Sequence, residues 1–229
     1  MDVYYSGIKL ILKIYQRIYS QVCHISGDIP EHPGPKIIAA NHANVTDGFF
    51  LPFVFREKLH FFVQGDLFSI PFFGWLLNKS GQIPVWPEQK KAALEKAAEL
   101  LAAGKTVVIF PEGRLNPDSQ PIKAFTGTIR LSLMTGAEII PVGFHVPRMH
   151  LRDRTIQKNG RPTLGFWQTG GRCYIRIGGP WLPGAETGAK VDEPGLSELT
   201  THLMERIRSL VDQAALDYIT EYNRPLPNA

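Results

Sequence analysis

Cysteine is nearly absent. Cys23 and Cys173 are the only two in 229 residues, and no C-x-x-C occurs. A disulfide scaffold and a cysteine zinc module are thereby excluded, and a reducing compartment fits this usage. Long apolar runs are missing too. Val3 to Val22 is rich in apolar residues, yet its longest apolar stretch between cations is Leu10-Ile11-Leu12, whereas a spanning helix needs about 20 predominantly apolar residues. A secretory signal is not legible: Asp2 stands where a basic n-region belongs, and Lys9 and Lys13 interrupt any apolar h-region. The chain is expected to stay where it is made, which gives the sequon Asn44-Val45-Thr46 no glycosylating enzyme to meet. No G-x-S-x-G, G-x-x-x-x-G-K-[ST] or G-x-G-x-x-G is present. The common hydrolase elbow, nucleotide hydrolysis and dinucleotide binding are disfavoured accordingly.

Charge of one sign is scarce as well. Lys and Arg number 25 against 21 Asp and Glu, a net charge of +4. This mild basicity suits an anionic surface or ligand, but it lacks the dense clustering of nucleic-acid binders, so nucleic acid is not an expected partner. Hydrophobic residues at 44% and charged residues at 20%, with a mean hydropathy of -0.09, exclude intrinsic disorder and a polytopic membrane protein. The length suits one sizeable α/β domain.

Val3 to Val22 reads as an amphipathic helix. At 100° per residue Lys9, Lys13 and Arg17 fall on one stripe with Ser6, Gln16 and Ser20, and Ile8, Ile11, Ile14, Tyr15 and Ile18 belong to a wide apolar arc. That pattern describes a helix lying in a membrane interface, or one docked on the protein's own core, since both bury the same arc. His24 to Pro35 is a turn-rich connector. Beyond it Lys36–Ala40, Leu59–Val63, Thr106–Phe110, Ile139–Phe144 and Tyr174–Ile177 read as strands. Helical patterns fall at Val45–Arg56, Glu88–Ala103, Thr126–Thr135 and Ser197–Tyr218, while 146–172 and 178–195 read as loops. The order predicts an α/β fold with a mostly parallel central sheet flanked by helices, preceded by the N-terminal amphipathic helix.

Two polar clusters follow strands, where open parallel sheets bind ligands. In Asn41-His42-Ala43-Asn44-Val45-Thr46-Asp47 a carboxylate five residues past a histidine can hold one ring nitrogen protonated and leave the other free as a base. By itself this pair is weak evidence, because a lone histidine is more often a structural hydrogen-bonder. The second cluster is Phe110-Pro111-Glu112-Gly113-Arg114. Its glycine exposes backbone N–H groups in a tight turn, and Arg114 supplies a planar cation able to grip phosphate; a solvated surface turn is the bland alternative. His145, His150 and Asp153 make a poor metal set, being interrupted by Pro147 and surrounded by arginines, and no metal is expected.

Asn41-His42 with Asp47, then Phe110-Pro111-Glu112-Gly113, then Ile140-Pro141-Val142 resembles the glycerolipid acyltransferases typified by bacterial lysophosphatidic acid acyltransferase. Asp66 to Gly74 with Gly81-Gln82-Ile83-Pro84-Val85, and Lys123-Ala124-Phe125-Thr126-Gly127, are similar to further blocks of that family. The likeness spans residues 36 to 145. It implies acyl transfer from acyl-CoA or acyl carrier protein, as co-substrate and partner, to the hydroxyl of a membrane lysolipid, without metal, cofactor or acyl-enzyme. By that resemblance His42 is the base, Asp47 orients it, Glu112 and Gly113 place the acceptor, and Pro141 shapes the site floor. Residues 1–28 then form a membrane-interface helix with its connector and 29–229 an acyltransferase domain. The expected location is peripheral, on the cytoplasmic face of the inner membrane.

The sequence departs from the family pattern at basic positions. Arg114 and Leu115 stand where Thr-Arg is usual, Gln64 and Gly65 where a Lys often precedes the acidic-Leu pair, and Trp86 and Pro87 where an Arg often follows the Ile-x-Val element. Arg114 with Lys90, Lys91 or Lys123 is the compensation the sequence offers. Lysophosphatidic acid is the expected acceptor. A zwitterionic or amino-acid-linked lysolipid such as lysophosphatidylethanolamine is the alternative, and a non-catalytic lipid binder the rival from another class.

Overall fold

Short, largely apolar runs such as Lys36–Ala40 and Thr106–Ile109 are buried along their full length, as strands of a sheet covered on both faces must be. A computed structural model describes residues 2–19, 22–30, 34–118, 120–158, 161–187 and 191–222. Its strands are β1 (Val22–Ser26), β2 (Lys36–Ala40), β3 (Leu59–Gln64), β4 (Ile83–Val85), β5 (Thr106–Ile109), β6 (Glu138–His145), β7 (Leu151–Lys158), β8 (Arg161–Gln168) and β9 (Arg172–Ile177). Seven of them form one sheet in the order β1-β9-β6-β2-β5-β3-β4, and β7 with β8 makes a separate antiparallel ribbon. Within the large sheet only the β6–β9 pair is antiparallel, so the expected mostly parallel α/β sheet is the one found.

The helices are α1 (Val3–Tyr19), α2 (Leu51–Val54), α3 (Phe73–Lys79), α4 (Lys90–Ala102), α5 (Gly127–Thr135), α6 (Pro183–Thr187) and α7 (Glu193–Tyr222). Alternation along the strands divides the core in two. Ile37, Ala39, Val107 and Ile139 face a layer built from α4, α5 and α7. Ile38, Ala40, Val108 and Ile140 face the opposite layer, where Tyr5 of α1 and Leu51 of α2 pack.

Three stretches differ from the sequence reading. The start of the connector is a strand: β1 pairs in register with β9 from Val22↔Arg172 to Ser26↔Arg176. Its mixed sequence VCHIS carries no clean alternation to announce it. Residues 146–172 hold the β7–β8 ribbon, whose many arginines and threonines mask the pattern. The Val45–Arg56 stretch is not one helix but a 3-10 turn at Asp47–Phe49 followed by α2 and an extended Phe55.

Helix α1 docks through one narrow stripe. Tyr5 is buried and its hydroxyl accepts the Leu59 N–H at 3.1 Å. The Tyr15 hydroxyl donates to the Gln168 carbonyl at 2.8 Å, and Gln16 donates to the Phe49 carbonyl at 2.9 Å. On the far side Val3, Leu10, Ile14 and Ile18 stay exposed, Ile18 to 65%. The helix therefore packs on its own core and still presents apolar surface outward. Among the described residues no helix is long and apolar enough to cross a membrane.

Helix α7 rests directly on β6 at Gly143. A Cβ added there would meet the Leu210 carbonyl carbon and the Val211 nitrogen, both at 2.4 Å. Because both atoms belong to helix backbone, Gly143→Ala has to push α7 off the sheet and is expected to cost about 1–3 kcal/mol. Urea denaturation of the two proteins checks this, and equal midpoints would show that the packing is looser than the geometry indicates.

Candidate active site

Strands β2 and β5 are central, adjacent and parallel, with Lys36↔Thr106 through Ala39↔Ile109 in register. Their C-terminal ends therefore arrive side by side, and the residues just beyond them meet. The His42 ring stacks on Phe110 with centroids 4.2 Å apart and planes 18° apart. The Asn116 N–H donates to the His42 carbonyl at 2.7 Å, and Glu112 accepts the His42 N–H. On the other flank, Asn41 locks the end of β2 to β6. It accepts the Phe144 N–H at 2.7 Å and donates to the Phe144 carbonyl at 3.0 Å.

The chain between His42 and Asp47 is folded by side-chain hydrogen bonds of Asn44. Its Oδ1 accepts the Thr46 N–H at 2.8 Å and the Thr46 hydroxyl, while its own N–H and side-chain amide donate to the two oxygens of Asp47. Asp47 has no solvent exposure. Burial pushes its carboxyl pKa up, opposed by His42 and by the Asn44 and Ala43 amides. His42 Nδ1 lies 3.5 Å from Asp47 Oδ2, the outer limit for a hydrogen bond, and has no closer partner. Since Nδ1 is buried and the ring is 23% exposed, solvent meets the imidazole on the side away from Asp47. A carboxylate behind one nitrogen and an open second nitrogen is the arrangement of a general base.

The Phe110–Arg114 turn closes the opposite wall. Gly113 has φ +63°, and a Cβ there would run into the Phe125 ring at 2.5 Å, so glycine is required twice over. Glu112 is 5% exposed, its pKa is raised by desolvation, and its Oε2 has no hydrogen-bond partner. It lines, with Asn41, a cavity of about 330 Å³ between residues 120–126 and α7. A second cavity, about 360 Å³, lies by His145, Met149, Tyr218 and Ile219 and holds none of these residues. Among the described residues no three of His, Cys, Asp and Glu converge to hold a metal.

Residues 22–145 match the model of the family described as Acyltransferase. The chain belongs to this family. It is 34% identical over 119 residues to a 1-acyl-sn-glycerol-3-phosphate acyltransferase of Pseudomonas aeruginosa, covering 50% of this chain and 45% of that one. It is 28% identical over 131 residues to a lyso-ornithine lipid O-acyltransferase of the same organism, covering 54% and 47%. The matches thus span about half the length of the curated relatives. The crystal structure of PlsC from Thermotoga maritima, a 1-acyl-sn-glycerophosphate acyltransferase, superposes with a TM-score of 0.67. It covers 97% of this chain and 81% of that one at 21% identity, which shows a shared fold.

Of the residues singled out in the sequence, His42, Asp47, Glu112 and Gly113 come together. Arg114 follows on the exposed side of the turn. Pro141 is inside β6, in register with Ala39. Its carbonyl accepts the Gly178 N–H, so its missing donor faces the point where the chain has left β9, and a central proline is tolerated. The candidate cations separate: Lys123 lines the cavity, Lys90 lies 4.6 Å over the Phe125 ring, and Lys91 faces Glu95 on the outer side of α4. The sequence reading passed over the clamping role of Asn41, the Asn44 bonds and the whole α7 wall. Asparagine is a common turn former and could have signalled the second of these. Asn44→Ala removes the side-chain donor from a buried carboxylate while the backbone N–H of residue 44 stays, and is expected to lower activity at least about tenfold, the equivalent of one lost hydrogen bond to a charge. Steady-state rates alongside a melting curve check it, and a full rate in the variant would show that Asp47 is held without Asn44.

Proposed function

We propose that the protein transfers a fatty acyl group from an acyl thioester, acyl-CoA or acyl carrier protein, to the free hydroxyl of a lysophospholipid, with lysophosphatidic acid as acceptor. The observation that carries this reading is the His42–Asp47 pair standing on β2 beside the Glu112–Gly113 turn on β5. The outer imidazole nitrogen takes the acceptor hydroxyl's proton as its oxygen attacks the thioester carbonyl carbon. Asp47 stabilises the imidazolium, an effect worth about 10²–10⁴ in rate for a positioned base. The tetrahedral intermediate then collapses with cleavage of the C–S bond, and the leaving thiolate recovers the proton from His42. Within the Glu112–Gly113 turn the Gly113 N–H already donates to the Phe110 carbonyl at 3.0 Å, which leaves the Glu112 side chain to place the acceptor. The scheme uses neither a metal nor an acyl-enzyme.

A second acceptor class is favoured by a specific observation: a matching relative is named for a lyso-ornithine lipid, and the usual basic positions hold Gln64, Leu115 and Trp86. Product mass spectrometry with both donors and a panel of lysolipids tests the whole reading. One diacyl product that disappears in His42→Ala is expected. Acyl transfer retained in His42→Ala would overturn the mechanism, and no acylated product from the wild type would favour the lipid binder.

Peripheral attachment to the cytoplasmic face of a membrane belongs to the same proposal. Supporting it, the exposed Leu10, Ile14 and Ile18 of α1 are joined by exposed Ile70, Phe72, Phe73 and Trp75, with Tyr4 and Trp75 in edge-on ring contact at 5.3 Å. Patches of this kind mark interaction surfaces. Replacing Leu10 and Ile14 together by Ser is expected to lower partition onto anionic vesicles by about tenfold or more, since each buried side chain contributes about 1.5–3 kcal/mol. Flotation assays check this, and undiminished partition would remove α1 from the membrane contact.

A further inference from the structure

Asp47 heads a 3-10 turn, Asp47–Phe49, that runs straight on into α2. Its bonds reach three residues back: the Phe49 N–H donates to the Thr46 carbonyl and the Phe53 N–H to the Phe50 carbonyl, both at 2.9 Å. On that pattern the Phe49 carbonyl falls to residue 52, which is Pro52 and has no N–H to give. Phe53, one residue further on, has already spent its N–H on Phe50. The donor that answers the Phe49 carbonyl comes from α1 instead, where the Gln16 side-chain amide bonds it at 2.9 Å. Tyr15 holds the same residue by its ring, edge-on to that of Phe49 with centroids 5.3 Å apart.

The stretch between His42 and Asp47 is tied to the same helix through β8. The Val45 N–H donates to the Phe166 carbonyl at 2.9 Å, and the Tyr15 hydroxyl to the Gln168 carbonyl at 2.8 Å. Carbonyls two residues apart point to one edge of a strand, so turn, strand and helix close a triangle of bonds. Behind it His42 Nδ1 and Asp47 Oδ2 stand 3.5 Å apart, at the margin where a small shift makes or breaks the contact. Misplacement of a group that supports a base lowers rate out of proportion to its size.

We infer that Gln16 is a positioning residue: by holding the carbonyl that Pro52 leaves unserved, it fixes Asp47 behind His42. The inference rests on the acyl-transfer reading, in which His42 is the base. It goes beyond that reading by making the seating of α1 part of the reaction's geometry and not only of attachment to a surface.

The test measures kcat and KM for acyl-CoA and lysophosphatidic acid in the wild type, Gln16→Met, Gln16→Lys and the double variant Gln16→Met, Pro52→Ala. A melting curve and vesicle flotation accompany each. Gln16→Met keeps the length of the side chain and loses the donor, whereas Gln16→Lys keeps a donor. Pro52→Ala restores the missing N–H within the turn itself. The expected result is a kcat about fivefold lower in Gln16→Met, the equivalent of one hydrogen bond, with KM and flotation unchanged. Gln16→Lys and the double variant are expected to recover the rate. A full kcat in Gln16→Met, a loss that falls on KM or flotation alone, or no recovery in either of the other two overturns the inference and leaves acyl transfer standing. The His42 ring signals in nuclear magnetic resonance of histidine-labelled protein give a readout that needs no turnover. Signals that move in Gln16→Met and return in the double variant, in a wild type that acylates no lipid, support the positioning and sink the acyl-transfer reading. Signals that stay fixed overturn the positioning.

Discussion

A carboxylate shut away from water has to be satisfied by donors, and around Asp47 those donors come from the same short stretch of chain. Leaving such a charge unmatched costs several kcal/mol. The six residues from His42 to Asp47 are therefore held in one shape, with the Asn44 amide and side chain turned inward toward the two carboxylate oxygens. The His42 ring is placed by this turn on one side and by the Phe110 stack on the other. Remove the carboxylate and the asparagine loses its partners, the turn loses its reason to close, and the imidazole loses the group that would stabilise its charge. The geometry of the candidate site and local stability are here the same set of contacts.

The sheet makes that turn affordable. Because β2 lies between β5 and β6, its C-terminal end can be anchored on both flanks: Asn41 bonds Phe144 on the β6 side, and His42 and Asn116 share a bond on the β5 side. A polar cluster at this depth survives only where nearly every group is paired. Two atoms of the cluster stand out, His42 Nδ1 and Glu112 Oε2, each buried without a hydrogen-bond partner.

The sequence made the central strands and the polar residues beyond them legible for a physical reason. Strands β2, β5 and β6 are buried on both faces and so carry mostly apolar residues between polar ones such as Lys36, Thr106, Glu138 and His145 at their ends. β1 and the β7–β8 ribbon were hidden because neither is buried in that way. Ile25 and Leu164 are exposed, and Arg152 and Arg154 point to solvent, so their patterns read as connector and loop. Pro141 sits inside β6, as the Ile139–Phe144 strand reading has it, and the departure of β9 at Gly178 is what lets a proline stand there. The α7 wall was illegible for another reason. Its Thr201, Glu205, Arg208 and Asp212 form an ordinary solvated helix face until residues 120–126 are folded opposite them, and no local pattern encodes that meeting.

The same logic connects α1 to the His42–Asp47 turn. One face of the helix holds apolar residues against nothing in the protein, while the other reaches the backbone around the site. Gln16 bonds the Phe49 carbonyl at the end of the turn that begins with Asp47, and Tyr15 bonds the Gln168 carbonyl. Two residues before Gln168, the Phe166 carbonyl accepts the N–H of Val45, midway between His42 and Asp47. Each bond contributes only about 0.5–1.5 kcal/mol net, too little to be what keeps the helix in place; the burial of Tyr5 and its neighbours does that. What the three bonds do is fix orientation. The outward apolar face and the imidazole are set on one frame, so wherever that face comes to rest, the direction from which an acceptor can reach His42 is determined with it.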